Sequence, residues 1–217
     1  MDAALLAAAV EARPGERLIE AGCGVGGAFL QVAARRPGVA VTGVERDPAA
    51  AALAGVNAAT NGVEAEIVCA DVAAGFRSLA LEPFDWAISN PPFFDDPAAL
   101  RAPAAEKSGA WMADDGLKAW SGFLLKAVRE GGRILMIHRA DRLADILALL
   151  SPKAGSFAIR PIQPHADEPA KRVLVQAVKT GRAPLRLLPA LVLHDRTTGR
   201  QTTQAEAILR GESALPF

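Results

Sequence analysis

Asn90-Pro91-Pro92-Phe93 stands directly behind the apolar run Asp85-Trp86-Ala87-Ile88-Ser89 and brings two oxygen acceptors and an aromatic face to one point of the chain. The two prolines fix two φ angles and remove two backbone donors, so the segment continues neither as strand nor as helix and its carbonyls are left for a neighbour. Such a segment suits a loop at the carboxyl end of a strand, where ligands bind in open α/β sheets. The Asn90 oxygen, the Pro91 carbonyl and the Phe93 ring could hold a planar molecule by its amino group. The plainer alternative is a turn.

A second chemical feature is the junction Leu18-Ile19-Glu20-Ala21-Gly22-Cys23-Gly24-Val25-Gly26-Gly27. Glycines let backbone approach a ligand closely, and the amino end of the next helix offers unpaired N–H groups. Gly22, Gly24 and Gly27 satisfy the dinucleotide fingerprint, with Glu45 near the place of its ribose-binding acid, so nicotinamide binding is an open alternative. A glycine turn that only packs helix on strand is another. Glu20 favours a different ligand, because a carboxylate there repels a pyrophosphate but suits a cationic amino-acid end. S-adenosylmethionine (SAM) has such an end, with an ammonium and a sulfonium. Glu45 is then placed for the two ribose hydroxyls and Asp71 for the adenine amine.

The elements that must position these residues follow from hydrophobic patterning. Residues 17–21, 40–45, 65–69 and 85–89 are rich in Val and Ile and largely apolar without alternation, as parallel strands buried on both faces should be. Ala/Leu-rich helical stretches lie between them. Pro48 after Asp47 reads as a capped helix start, and Asn61-Gly62 as that helix's end. Helices are predicted over 117–128 and 141–150, and a fifth strand over 133–138 after Gly131-Gly132. Residues 156–163 and 171–179 are β-like and separated by a loop too short for a helical crossover, which predicts an antiparallel pair at one end of the sheet. No internal repeat or domain linker is visible, so a single domain over 1–217 is expected, with the basic part 153–217 supplying the last strands and RNA contacts.

The whole layout resembles the class I SAM-dependent methyltransferases that act on planar amino nitrogens. More narrowly, Asp2–Ala8, Asn90–Phe94, Ile137–Leu143, Ala170–Val175 and Leu191–His194 resemble the bacterial adenine-N6 methyltransferase family that acts on valine tRNA, at the adenine beside the anticodon. The resemblance covers nearly the whole chain, although only the glycine loop and the Asn-Pro-Pro-Phe segment are specific for chemistry. It implies an α/β fold, Rossmann-like, with a seven-stranded, mostly parallel sheet, an antiparallel edge hairpin and helices on both faces. It also implies SAM as cofactor, tRNA as partner, no metal, and catalysis by Asn90, Pro91, Pro92 and Phe93. Cofactor contacts fall to Glu20, Ala21, Gly22, Cys23, Gly24, Gly26, Glu45, Arg46, Asp71, Val72 and Asn90. Guanine-N2 methylation of ribosomal RNA and glutamine methylation of a release factor use similar planar nitrogens and stay open, as does a non-catalytic SAM-binding module. Family members usually carry a Gly-, Arg- and aromatic-rich stretch before the segment matching Asp2–Leu6. Its absence here leads to the expectation of a truncated chain, a misassigned start or a more open cofactor site.

Composition bounds these readings. Charged residues make up 22% of 217 residues and the net charge is zero, but the charge is divided: residues 1–152 carry 14 Lys/Arg against 19 Asp/Glu, and residues 153–217 carry 10 against 5. Local sign decides contact with phosphates, so RNA is a permitted partner, and Arg139, Lys171, Arg172, Lys179, Arg182 and Arg186 are the candidates for it. No apolar stretch approaches a membrane span, the start lacks a signal peptide's basic region, and two cysteines without metal-type spacing suit a reduced cytoplasmic protein. His138, His165 and His194 lack ligand spacing and are not expected to be catalytic. Trp86 and Trp111 are expected as core or loop anchors, and with no tyrosine present, base stacking falls to Phe and Trp. Residues 94–116 are expected to form a flap over the substrate.

Overall fold

A computed structural model describes residues 1–92 and 111–217, the side chains of 111–115 excepted. A short helix α1 (Asp2–Ala8) precedes strand β1 (Arg17–Ala21), and the chain then alternates through α2 (Phe29–Arg35), β2 (Ala40–Glu45), α3 (Pro48–Thr60), β3 (Ala65–Cys69) and β4 (Phe84–Ser89). After α4 (Trp111–Ala127) come β5 (Val128–Arg139), α5 (Leu143–Leu150), the hairpin β6 (Ala154–Gln163) and β7 (Arg172–Lys179), and finally β8 (Arg186–Leu187), β9 (Leu191–Val192) and α6 (Thr203–Leu209).

The strands form one sheet in the order β3-β2-β1-β4-β5-β7-β6-β8, with β9 also paired to β6. β1 to β5 are parallel and β7 is antiparallel to both its neighbours. The order reverses between β1 and β4, which places a crevice at their carboxyl ends. Seven strands are expected from the sequence and nine are present among the described residues. The additional β8 and β9 are two-residue pairings along β6, too short to leave a periodic signal. β5 also starts five residues early, at Val128, because a register shift opposite Phe84–Trp86 lets the Gly131-Gly132 turn remain within the strand. The helix expected from Asp141 opens as a 3-10 turn over Ala140–Arg142 and becomes α-helical at Leu143.

Alternation in each strand divides the core between the two faces. Leu18, Trp86, Ile88, Leu135, Ile137 and Leu174 point toward α1, α2, α3 and α6, where they meet Leu5, Leu6, Phe29, Val32 and Ile208. Ile19, Val44, Ala87, Ile134, Met136 and Val175 point the other way, toward Leu117, Phe123 and Leu124 of α4 and Ile146 and Leu150 of α5. Each such large side chain contributes about 1.5–3 kcal/mol on burial. Trp86 is core, as expected, and its Nε1 donates to Glu16 Oε2 at 3.0 Å. α3 forms where expected: Asp47 Oδ1 accepts from Ala49 N at 3.0 Å, Pro48 occupies the first turn, and the small residues Ala51, Ala54 and Ala58 form the buried face. The tail closes on the α1 side, with Leu215 N donating to Ala8 O at 2.8 Å. No described helix is long and apolar enough to cross a membrane.

Candidate active site

Register brings the expected residues to one edge. Ala21 at the end of β1 pairs with Val44 on one side and Ser89 on the other, and Glu45 pairs with Cys69. Glu45 ends β2, while Gly22, Asn90 and, two residues past Cys69, Asp71 follow the three strands beside it, so the four stand at adjacent strand ends. Three strand spacings separate the Asp71 and Asn90 strands, about 14 Å at 4.7–4.9 Å each. Ser89 Oγ donates to Ala21 O at 3.0 Å and fixes the floor between β1 and β4.

The glycine loop is tied to β2 by Gly22 N and Cys23 N, both donating to Val44 O at 2.8 and 3.0 Å. Gly22 has φ +69, and a Cβ built there would lie 2.1 Å from the Trp120 ring, so both the turn and its neighbour require glycine. Glu45 spans the loop: Oε2 accepts from Gly24 N and Oε1 from Asp47 N, each at 2.9 Å. Each oxygen keeps acceptor capacity for a hydroxyl. Asp71 Oδ1 accepts from Ala73 N at 2.8 Å and caps the turn Val72–Ala74. Of the other expected contacts, Ala21, Cys23, Gly26 and Val72 are buried and Arg46 is exposed. Both cysteines are free thiols, and burial pushes Cys23 up to about 12.

Glu20 is 3% exposed, and its Oε2 accepts from Phe29 N at 2.8 Å, the first N–H of α2. Burial raises its pKa to about 8, against the lowering effect of the Phe29 bond and with a further upward push from Glu45. The carboxylate thus occupies the helix amino end that a dinucleotide's pyrophosphate would need. At the tip of β4, Asn90 is half-buried, Pro91 buried and Pro92 exposed, and Asn90 Oδ1 is buried with no hydrogen-bond partner among the described residues. An unpaired buried acceptor costs about 1–3 kcal/mol and is filled when a ligand donates to it. Together with acceptors at Glu45 and Asp71, this donor-seeking lining fits SAM, whose amine and hydroxyl groups donate. Phe93 and residues 94–110 of the expected flap lie outside the described residues, and Trp111–Gly116 belong to α4.

The expected RNA contacts divide between two edges. Arg139 and Arg172 are opposite one another at the crevice edge, with Lys171 exposed beside them. Arg139 pairs with Asp141, and Arg172 Nε with Asp2 Oδ2 at 3.1 Å. Lys179 ends β7, seven residues and about 23 Å from Arg172, and Arg182 lies just past that end. There Lys179 Nζ donates to Val128 O at 2.8 Å, and Arg182 and Arg186 are exposed. His138 is buried at the end of β5 with its pKa lowered to about 4 by burial and by Arg142 and Arg139, so it is neutral at pH 7. His165 and His194 lie together past the end of β6, His165 Nδ1 and His194 O being 3.2 Å apart. The sequence reading missed Trp120, whose only signal was its helical spacing of three residues from both Leu117 and Phe123.

The strand order and the acid-lined crevice define a class I SAM-dependent methyltransferase. A family profile described as Methyltransferase small domain matches residues 1–107. The tRNA1(Val) (adenine(37)-N6)-methyltransferase of Dickeya chrysanthemi is 32% identical over 190 residues, 84% of this chain and 73% of its own length. Among solved structures, a predicted O-methyltransferase from Agrobacterium tumefaciens superposes with a TM-score of 0.79 at 29% identity, covering 100% of this chain and 99% of the other. A class I SAM-dependent methyltransferase structure from Listeria monocytogenes shares the fold, with a TM-score of 0.63 at 16% identity over 97% of this chain and 69% of its own. The chain belongs to the bacterial tRNA1(Val) adenine-N6 methyltransferase family, and its cofactor is SAM rather than a nicotinamide dinucleotide.

Proposed function

We propose that this protein methylates the exocyclic N6 amine of an adenine in tRNA, the adenine beside the anticodon of valine tRNA being the first candidate because the Dickeya relative's name gives that position. The observation that carries the reading is the buried Oδ1 of Asn90, without a hydrogen-bond partner among the described residues, at the strand tip next to the glycine loop. Bound SAM supplies an electrophilic methyl on a sulfonium and leaves as the neutral sulfide.

The adenine amine is a weak nucleophile because its lone pair is delocalised into the ring. Asn90 Oδ1 and the Pro91 carbonyl accept its two N–H bonds, which favours a pyramidal nitrogen and turns the lone pair toward the donor methyl. After transfer, the methylated amine is cationic and loses one N–H proton to water, while the two carbonyl oxygens only accept hydrogen bonds and take up no proton. The rate gain comes from positioning and preorganised dipoles, with no covalent enzyme intermediate. Glu45 receives the ribose hydroxyls, Asp71 the adenine amine of the cofactor, and the Gly22–Gly26 backbone its amino-acid end. Pro92 fixes the turn, and Phe93 keeps the stacking role its sequence position suggests, worth roughly 1–3 kcal/mol per base. Arg139, Lys171 and Arg172, on the crevice edge, are the RNA-contacting set; Lys179 and Arg182 do not share that edge.

The target base must be unpaired or flipped, which is cheapest in a single-stranded loop. A tRNA substrate supports a cytoplasmic location, and the continuous sheet with a core on each face supports one domain. The test is mass spectrometry of nucleosides from unmodified valine tRNA incubated with the protein and SAM. Appearance of N6-methyladenosine at the anticodon-adjacent adenine is expected. Methyl incorporation at guanine-N2 only, or none into any RNA despite SAM binding, overturns the assignment.

A further inference from the structure

We propose that Trp120 is a cofactor-binding residue whose indole forms the wall against which the cationic half of SAM lies; this deepens the methyltransferase reading and rests on it. The far edge of the ring abuts the first glycine of the loop. A Cβ on Gly22 would lie 2.1 Å from Cη2, 2.8 Å from Cζ3 and 3.3 Å from Cζ2 of Trp120. The ring is fixed there because α4 is anchored on both sides of it by Leu117 and Phe123, each 1% exposed, while Trp120 itself is only half-buried. α4 also packs on β1, β4 and the turn after Asp71, so the ring belongs to the element that joins three of the four cofactor junctions.

A large aromatic surface left partly open at the tip of β1 suits a ligand better than solvent. The charge at that place also needs a partner. Glu20, the acid nearest in sequence, is buried and engaged by Phe29 N, so its carboxyl group is turned to the amino end of α2. The negative face of an indole attracts a cation within about 6 Å and supplies that partner without a desolvated carboxylate. Contact at Gly22, rather than at Asp71, assigns Trp120 to the methyl-donating half and not to the adenine.

The protein and its Trp120→Leu and Trp120→Phe variants are titrated calorimetrically with SAM, which is cationic at sulfur, and with S-adenosylhomocysteine, which is not. The leucine variant is expected to lose SAM affinity by roughly 2- to 30-fold and S-adenosylhomocysteine affinity by less. The phenylalanine variant retains most of both, and circular dichroism checks that each variant is folded. In a second readout, ligand binding changes the tryptophan emission of the wild type, and that change is lost in Trp120→Phe. Unchanged SAM affinity in the leucine variant, equal losses for the two ligands, or an emission change that survives in Trp120→Phe overturns the assignment and leaves the methyltransferase reading intact. A wild type that binds neither ligand overturns both.

Discussion

Replacing Glu20 by Gln isolates the electrostatic cost of the acid beneath the glycine loop. Burial raises the Glu20 pKa from about 4.5 to about 8, so between those pH values the folded chain keeps a proton that the unfolded chain has released. Stability then falls as pH rises, by about 1.4 kcal/mol per pH unit, and levels off above pH 8 after a total of about 5 kcal/mol. Gln keeps an acceptor for Phe29 N but cannot ionise. Its amide adds a buried donor whose cost, about 1–3 kcal/mol, does not vary with pH. The sign of the effect at any single pH is therefore less informative than its slope: from pH 4.5 to 8, the stability difference between variant and wild type should move in favour of the variant by about 4 kcal/mol. Urea unfolding of both proteins without cofactor, at pH 5, 6, 7 and 8, reads this directly. Parallel stability profiles would show that Glu20 ionises in the folded chain as freely as in the unfolded one, and the reasoning would fail.

Asn90→Ala should lower the single-turnover methyl-transfer rate roughly 10²- to 10³-fold with a smaller loss of SAM affinity; because the Oδ1 it removes has no partner among the described residues and costs about 1–3 kcal/mol in the free protein, urea stability without cofactor should not fall and should rise by up to that amount. A near-normal rate removes Asn90 from the mechanism. Gly22→Ala meets both a positive φ and the Trp120 ring, whereas Gly24→Ala meets a positive φ with open space. Calorimetric melting should show the Gly22 variant losing about 1–3 kcal/mol more than the Gly24 variant. Glu45→Gln puts an amide NH2 against the Gly24 or the Asp47 N–H, so SAM titration should show weaker binding along with about 1–3 kcal/mol lost stability. With Cys23 buried and its thiol pushed up to about 12, a chromogenic disulfide should titrate one fast thiol per native chain, at the exposed Cys69; two fast thiols would contradict the loop's packing.

Much of this protein is written locally. Unalternating Val/Ile runs specify buried parallel strands, Asp47-Pro48 starts a helix by satisfying its first N–H groups, and Asn90-Pro91-Pro92 must leave a strand end because proline cannot continue it. Those signals act within a few residues and need no partner, so the fold class, the glycine loop and the strand-four tip were legible without coordinates. Where each acid's charge goes was not. Glu20 reads as a ligand for a cation, yet the tertiary structure buries it against Phe29 and raises its pKa, because desolvation depends on everything packed around a group and not on its neighbours in sequence. The same holds for Lys179 and Arg182, basic like Arg139 and Arg172 but carried by the length of β7 to the opposite edge. It also holds for Trp120, one more apolar residue of a helix until chain reversal sets it against Gly22, 98 residues earlier. Type and spacing determined which chemistry was available; only packing, through burial and long-range proximity, decided which atoms face the crevice.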